Sequence, residues 1–214
     1  MRHSQATSRR YWRAGIVVSA VLLSWAAALA IASPLPESPT ETVRATINEV
    51  IRILEDPGLK DPAKLIPRRH MLEEVIAARF DYAEMSKRSL AAHWRSLSAA
   101  ERIEFVDLFR SFLSDRYAEK IEGYAGEQVS YLSERIEDGY AEVRTELRSS
   151  KVDIPMDYRL HVRDSQWHAY DMIVDGVSLV KNYRSQFNKI IRDSSYQGLV
   201  EKLRDRTVTE ETQK

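Results

Sequence analysis

The sequence predicts an α+β fold, with helices packed on an antiparallel sheet of about four strands and further helix closing the chain. Three observations carry this expectation. Apolar residues recur at three- and four-residue spacing through the first half of the chain. The period then changes to two, over segments joined by short turn-forming stretches. It returns to helical spacing from about Leu179 to Ile191 and again from Tyr196 to Leu203.

Residues 1–32 read as an address rather than as fold. "MRHSQATSRRYWR" is basic, and an apolar run follows from Ala14 to Ala32, ending in Ala30-Ile31-Ala32 before Ser33. This is the tripartite pattern of a secretory signal with cleavage after Ala32, which implies export and, in a double-membraned bacterium, the periplasm. An uncleaved anchor is the alternative, since nineteen apolar residues approach the length of a membrane span. The 214-residue chain balances 32 basic against 32 acidic groups. Without the four arginines of the leader the body carries 28 against 32, a mildly acidic balance that argues against nucleic-acid binding. The absence of cysteine excludes disulfides and cysteine metal sites.

Residues 33–40, "SPLPESPT", form a Pro-rich linker. A helix follows from near Glu41, with Val43, Ile47, Val50, Ile51 and Leu54 along one stripe, until Asp56-Pro57-Gly58 ends it. A second covers Arg68 to Ala78. Asp81 with Glu84, and Ser98 with Glu101, are capping-box pairs for a third helix and a long fourth one. Strict alternation marks "AEVRTELRSS" and "DIPMDYRLHVR" as strands with one covered face. "QVSYLSE" is a weaker strand before them and "QWHAYDMIVD" a fourth after, apolar on both faces at Met172, Ile173 and Val174. Residues 41–206 make one domain, followed by a polar tail at 207–214.

Signatures of catalysis are missing. There is no G-x-S-x-G, no phosphate-cradling glycine loop and no H-E-x-x-H. His161 and His168 flank a strand turn and form at most a two-histidine site; solvated strand residues are the plainer reading. Asp171 lies in the most apolar strand, where a lone charge is costly. Pairing with an arginine, Arg184 being a candidate, competes there with a general-base role.

"RFDYAEMSKRSLAAHWRSLSAAERIEFVDLFRSFLSDRYAEKIEGY" and "WHAYDMIVDGVSLVKNYRSQFNKII" resemble the MlaC family, periplasmic phospholipid-binding proteins of the Mla lipid-transport pathway, also known as toluene-tolerance or ABC-transporter auxiliary proteins. The likeness runs from about Glu41 to Arg206. It departs at "SLAAHW", where many relatives carry a glycine before the aromatic. The resemblance implies an NTF2-like cone with an apolar pocket that holds acyl chains and leaves the headgroup outside. It implies a carrier rather than an enzyme, with bound phospholipid as cargo and no cofactor or metal. Its implied partners are an inner-membrane ABC transporter with an MCE-domain component and an outer-membrane lipoprotein complex. A related branch is associated with hopanoid lipids.

On this reading the pocket draws on Val143, Leu147, Met156, Tyr158 and Leu160, with Tyr170, Met172 and Val174 from the last strand. Phe109 and Phe112 are candidates from the long helix, and Tyr183 and Phe187, four apart, from the closing helix. Lys181 and Arg184 are the candidates near a headgroup. The rival reading is a small enzyme on the same scaffold that uses Asp171 or the His161/His168 pair in the pocket.

Overall fold

The computed structural model describes residues 38–149, 152–206 and 208. The expected export signal and its cleavage point, the first part of the Pro-rich linker and nearly all of the polar tail lie outside the described residues.

Helix α1 spans Pro39–Glu55 and so takes in the end of the expected linker. Ser38 caps it, its Oγ accepting from the Glu41 amide at 3.1 Å, and Pro39 occupies the first turn, where no amide hydrogen is needed. Helix α2, Leu65–Ala77, begins three residues before the apolar pattern indicates. Helix α3, Tyr82–Leu90, is capped by Asp81, whose Oδ1 accepts from the Glu84 amide at 3.0 Å. The reciprocal half of the expected box does not form. The Asp81 amide instead donates to the Ala169 carbonyl at 2.8 Å, and the Glu84 carboxylate pairs with Arg88 at 2.9 Å. Helix α4, Ala99–Glu122, carries the full box between Ser98 and Glu101. Helices α5, Leu179–Asp193, and α6, Tyr196–Arg204, close the domain.

The sheet has five antiparallel strands in sequential order, one more than expected. They are β1 Gln128–Glu137, β2 Tyr140–Arg148, β3 Asp153–Arg163, β4 Gln166–Val174 and the two-residue β5, Val177–Ser178. The extra strand exists because Asp175-Gly176 makes a hairpin rather than an exit into helix. Both residues have positive φ, 50° and 78°, as a primed two-residue turn requires. Asp138-Gly139 and Asp164-Ser165 do the same for the β1–β2 and β3–β4 connections.

Two main cores, and a small third cluster of Ile53, Leu54 and Leu72 between α1 and α2, divide the buried apolar residues among those described. One joins α3, α4, α5 and α6 through Phe105, Phe109, Phe112, Tyr183 and Phe187, all buried. Phe109 meets Phe187 at 5.2 Å and Tyr183 at 5.4 Å, both edge-on, the geometry that aromatic quadrupoles favour. The other seats α1 on the sheet through Val43, Ala141, Val143, Leu160 and Trp167.

Candidate functional site

A cavity of about 1040 Å³ separates the inner face of the sheet from α1, α2 and α4. It is left because α4 turns its aromatic residues toward α5 and α6, while α1 is held to the sheet and α2 to α1. Val129, Leu147, Ile154, Met156, Tyr158, Leu160, Met172 and Val174 form its sheet wall. Ile47, Val50, Ile51 and Leu54 of α1, Leu72 and Ile76 of α2, and Leu113, Tyr117 and Ile121 of α4 form the helical walls.

Even the polar side chains of the wall present little polarity. Thr46 Oγ1 donates to the Thr42 carbonyl at 2.8 Å and Thr145 Oγ1 to the Met156 carbonyl, so both hydroxyls are engaged by backbone. The phenols of Tyr82 and Tyr158 have no hydrogen-bond partner among the described residues. Burial pushes Tyr82 up to about 12, with Arg110 opposing and Glu73 adding; burial pushes Tyr158 up as well. Both phenols are therefore protonated at neutral pH. Charges gather at the rim. Arg69 forks onto Glu122 with two bonds of 2.8 Å, and this bond from Arg69 holds the Glu122 carboxyl below its usual range.

An apolar hollow bordered by charged side chains is the geometry that the family resemblance implies, and the family comparison agrees with it. The description "MlaC protein" matches residues 44–205. The chain belongs to the MlaC family. Among relatives, the intermembrane phospholipid transport system binding protein MlaC of Haemophilus influenzae is 22% identical over 158 residues, 71% of this chain and 70% of its own length. A solved structure of a phospholipid-binding protein from Ralstonia solanacearum, in complex with a phospholipid, matches with a TM-score of 0.72 at 24% identity. The match covers 79% of this chain and 97% of that one, and at this identity it establishes the shared MlaC fold.

Within this MlaC fold, six residues expected in the pocket line the cavity: Leu147, Met156, Tyr158, Leu160, Met172 and Val174. The other six lie elsewhere. Phe109, Phe112, Tyr183 and Phe187 fill the helical core, where Tyr183 and Phe187 meet α4 rather than the sheet. Val143 is covered by α1. Tyr170 is the extra residue of a β-bulge opposite Arg159 and Leu160, and it contacts Tyr140 and His161 instead. Lys181 and Arg184 are also off the cavity, and Arg184 Nε donates to the Arg88 carbonyl at 2.8 Å.

Asp171, His161 and His168 do not line the cavity either, which separates the groups of the enzyme reading from the pocket it needs. Asp171 pairs with Arg159, its cross-strand neighbour, at 3.4 Å rather than with Arg184. Its oxygens also accept from Ser178 Oγ at 2.6 Å and the Val180 amide at 3.0 Å, anchoring the start of α5. His161 and His168 are cross-strand partners, as their positions around the turn require. His161 Nε2 lies 3.0 Å from Asp81 Oδ2, which also takes Arg163 at 2.9 Å. Among the described residues no cluster of three or more His, Cys, Asp or Glu is arranged to hold a metal, and no helix is long and apolar enough to cross a membrane.

Sequence reasoning missed the α1 and α2 wall, Tyr82, Met85 and Arg110. The α1 stripe was visible in the periodicity, but periodicity does not separate a residue facing a filled core from one facing a hollow.

Proposed function

We propose that this chain is a periplasmic carrier that encloses the acyl chains of a phospholipid in the cavity and moves lipid between membrane complexes. The cavity itself carries the reading: an apolar hollow of about 1040 Å³ in a MlaC-family domain. At ~30 Å³ per water-sized group, it accommodates on the order of 35 methylenes, which is two chains of roughly sixteen carbons. Left in water, such chains cost about 0.8 kcal/mol per methylene, or on the order of 20–25 kcal/mol together. No headgroup contact offsets that, so a soluble carrier must enclose the chains. The basic, apolar, A-x-A leader supports export, and the names of the relative and of the solved structure support phospholipid as cargo. The carrier loads and unloads at an inner-membrane ABC transporter with an MCE-domain component and at an outer-membrane lipoprotein complex.

Native mass spectrometry of protein purified from the periplasm without detergent, followed by lipid extraction, tests this directly. The expected result is close to one phospholipid per chain, and near-complete loss of it in Met172→Arg, which puts a charge on the wall while the far-UV spectrum stays unchanged. Bound hopanoid would keep the carrier and change its cargo. A chain that stays empty after incubation with liposomes overturns the reading.

A further inference from the structure

Most charges on the cavity rim are already paired. Arg69 is forked onto Glu122, His70 lies 3.4 Å from Glu74, and Arg79 Nη1 donates to Gln166 at 3.3 Å. Lys120 stands over the Tyr117 ring at 5.3 Å. Two lining residues of opposite sign that lack an ion-pair partner stand on facing helices, α4 and α2. Arg110 of α4 is exposed and has no carboxylate partner among the described residues. Glu73 of α2 is exposed as well, and its carboxylate takes only a neutral donor, Ser114 Oγ at 2.5 Å.

Glu73 reaches α4 at Ser114, one helical turn from Arg110, so the two opposite charges lie on the same stretch of the lining, yet they form no ion pair with each other. Unpaired neighbours of opposite sign on facing helices leave room for a group that carries both signs. Neutral donors on the lining complete the set. Ser111 follows Arg110, the Tyr82 hydroxyl is unengaged, and Asn182 accepts from Gln186 Nε2 at 3.1 Å through its oxygen, which leaves its NH₂ to donate.

Resting on the carrier reading, we propose that this rim is a subsite for a zwitterionic phosphoester headgroup. Arg110 receives the phosphate and Glu73 the ammonium. Arg110 offers its planar fork to phosphate oxygens, with hydroxyl and amide donors beside it. An anionic headgroup without an ammonium leaves Glu73 facing like charge, so the site selects by repulsion as well as by attraction. Lys181 and Arg184, off the cavity, have no part in it.

Incubation of the purified protein with vesicles of equal phosphatidylethanolamine and phosphatidylglycerol, matched in acyl chains, tests the subsite, with bound lipid read by native mass spectrometry. Wild type is expected to enrich the ethanolamine lipid about two- to fivefold over the vesicle ratio, the range that an exposed ion pair supplies. Arg110→Gln lowers uptake of both lipids by the same modest factor, because both carry the phosphate, whereas Glu73→Gln abolishes the enrichment and Glu73→Lys shifts the ratio toward the glycerol headgroup. Uptake at the vesicle ratio by wild type, or an enrichment unchanged in the Glu73 variants, overturns the subsite and leaves the carrier intact. No bound lipid in wild type fails the carrier reading itself. Soluble phosphoethanolamine and inorganic phosphate are added in parallel. Enrichment that survives both assigns the rim to a headgroup presented on a lipid, and its erasure by either assigns it to a free phosphoester and overturns the lipid assignment.

Discussion

Helix α4 has an apolar region on either side, and the two differ in only one respect that matters. Toward α5 and α6 the space is filled, with Phe105, Phe109, Phe112, Tyr183 and Phe187 meeting edge-on and almost without exposure. Toward the sheet it is hollow, walled by aliphatic side chains, Met156 of β3 and Met172 of β4, and threonines whose hydroxyls are bound to backbone. Both are apolar; rings pack the first shut, and tethering keeps the second open. The Thr40 amide donates to Glu134 at 2.8 Å at one end of α1, and Arg69 ties α2 to Glu122 of α4. These tethers keep the walls from collapsing, and an uncollapsed apolar void forgoes the dispersion contacts that a filled core makes. It is also a site for apolar ligands. Occupancy then stabilises the whole domain by mass action.

The largest effect expected lies on the filled side. Phe109→Ala removes a fully buried ring at the centre of the cluster, and a loss of about 3–5 kcal/mol is expected from denaturant titration. Lipid bound per folded chain should stay unchanged, because Phe109 is not part of the wall. Lipid loss in proportion to the remaining stability would join the two regions into one and break the comparison. Next in size is Asp171→Asn. The carboxylate accepts from Ser178 Oγ, the Val180 amide and Arg159 while buried, so a cost of about 2–3 kcal/mol is expected from the weakened charge-assisted bonds at the start of α5. A change of less than half that would show the anchor to be incidental.

The filled and the hollow side were not equally legible in the sequence. The order of helices and strands follows from period alone, and the Ser98–Glu101 box marks the start of α4. Alternation along β2 and β3 places Leu147, Met156, Tyr158 and Leu160 on one face, and they do line the cavity. It fails at Tyr170, because a bulge inserts one residue opposite Arg159 and Leu160. Ala169 and Trp167 take the inner face, and Tyr170 moves out. Arg159 as the partner of Asp171 depends on the β3–β4 register, which no local pattern encodes. The aromatic residues of α4 and α5 were expected in the pocket from their helical positions, Tyr183 and Phe187 on their four-residue spacing. Large rings find each other and close the space between them, so they mark the filled core instead.

Acid should reach the hollow side first. Asp81, His161, Arg163 and His168 gather where the α2–α3 connection joins β4, beside the cavity-lining residues Arg79, Phe80 and Ala169. Burial lowers the pKa of His168, and the positive charges of Arg163, Arg79 and His161 add to the effect while Asp81 opposes it. The unfolded chain therefore binds the proton first. The stability His168 contributes is complete above the ordinary histidine value of about 6.5 and is lost as pH falls through it. For Asp81, burial works to raise the pKa, but the Glu84 amide, Arg163 and His161 together hold it below the usual carboxylate range. Its contribution is present above about pH 3.9 and disappears as pH falls through the lowered folded value. Urea midpoints measured against pH should show His168→Gln flattening the decline near neutrality and Asp81→Asn flattening only the acidic limb. Curves that run parallel to wild type would remove this cluster from the acid response.

The smallest effect expected is a gain. Ala91 ends α3 at φ 50° and ψ −116°, a conformation that suits glycine and strains any residue with a Cβ. The strain is held by what surrounds it. Leu90 and Leu97 on either side are both buried in the filled core, which fixes the two ends of the segment that contains it. Ala91→Gly releases that strain at the cost of a more flexible unfolded chain, for a net gain of about 0.5–1 kcal/mol. The melting temperature should rise by a few degrees while lipid content and exchange stay at wild-type values, because Ala91 touches no part of the hollow. A gain in stability with altered lipid exchange would mean that the strained turn transmits to the cavity. The filled side would then be part of how the carrier opens, rather than only the frame that holds it.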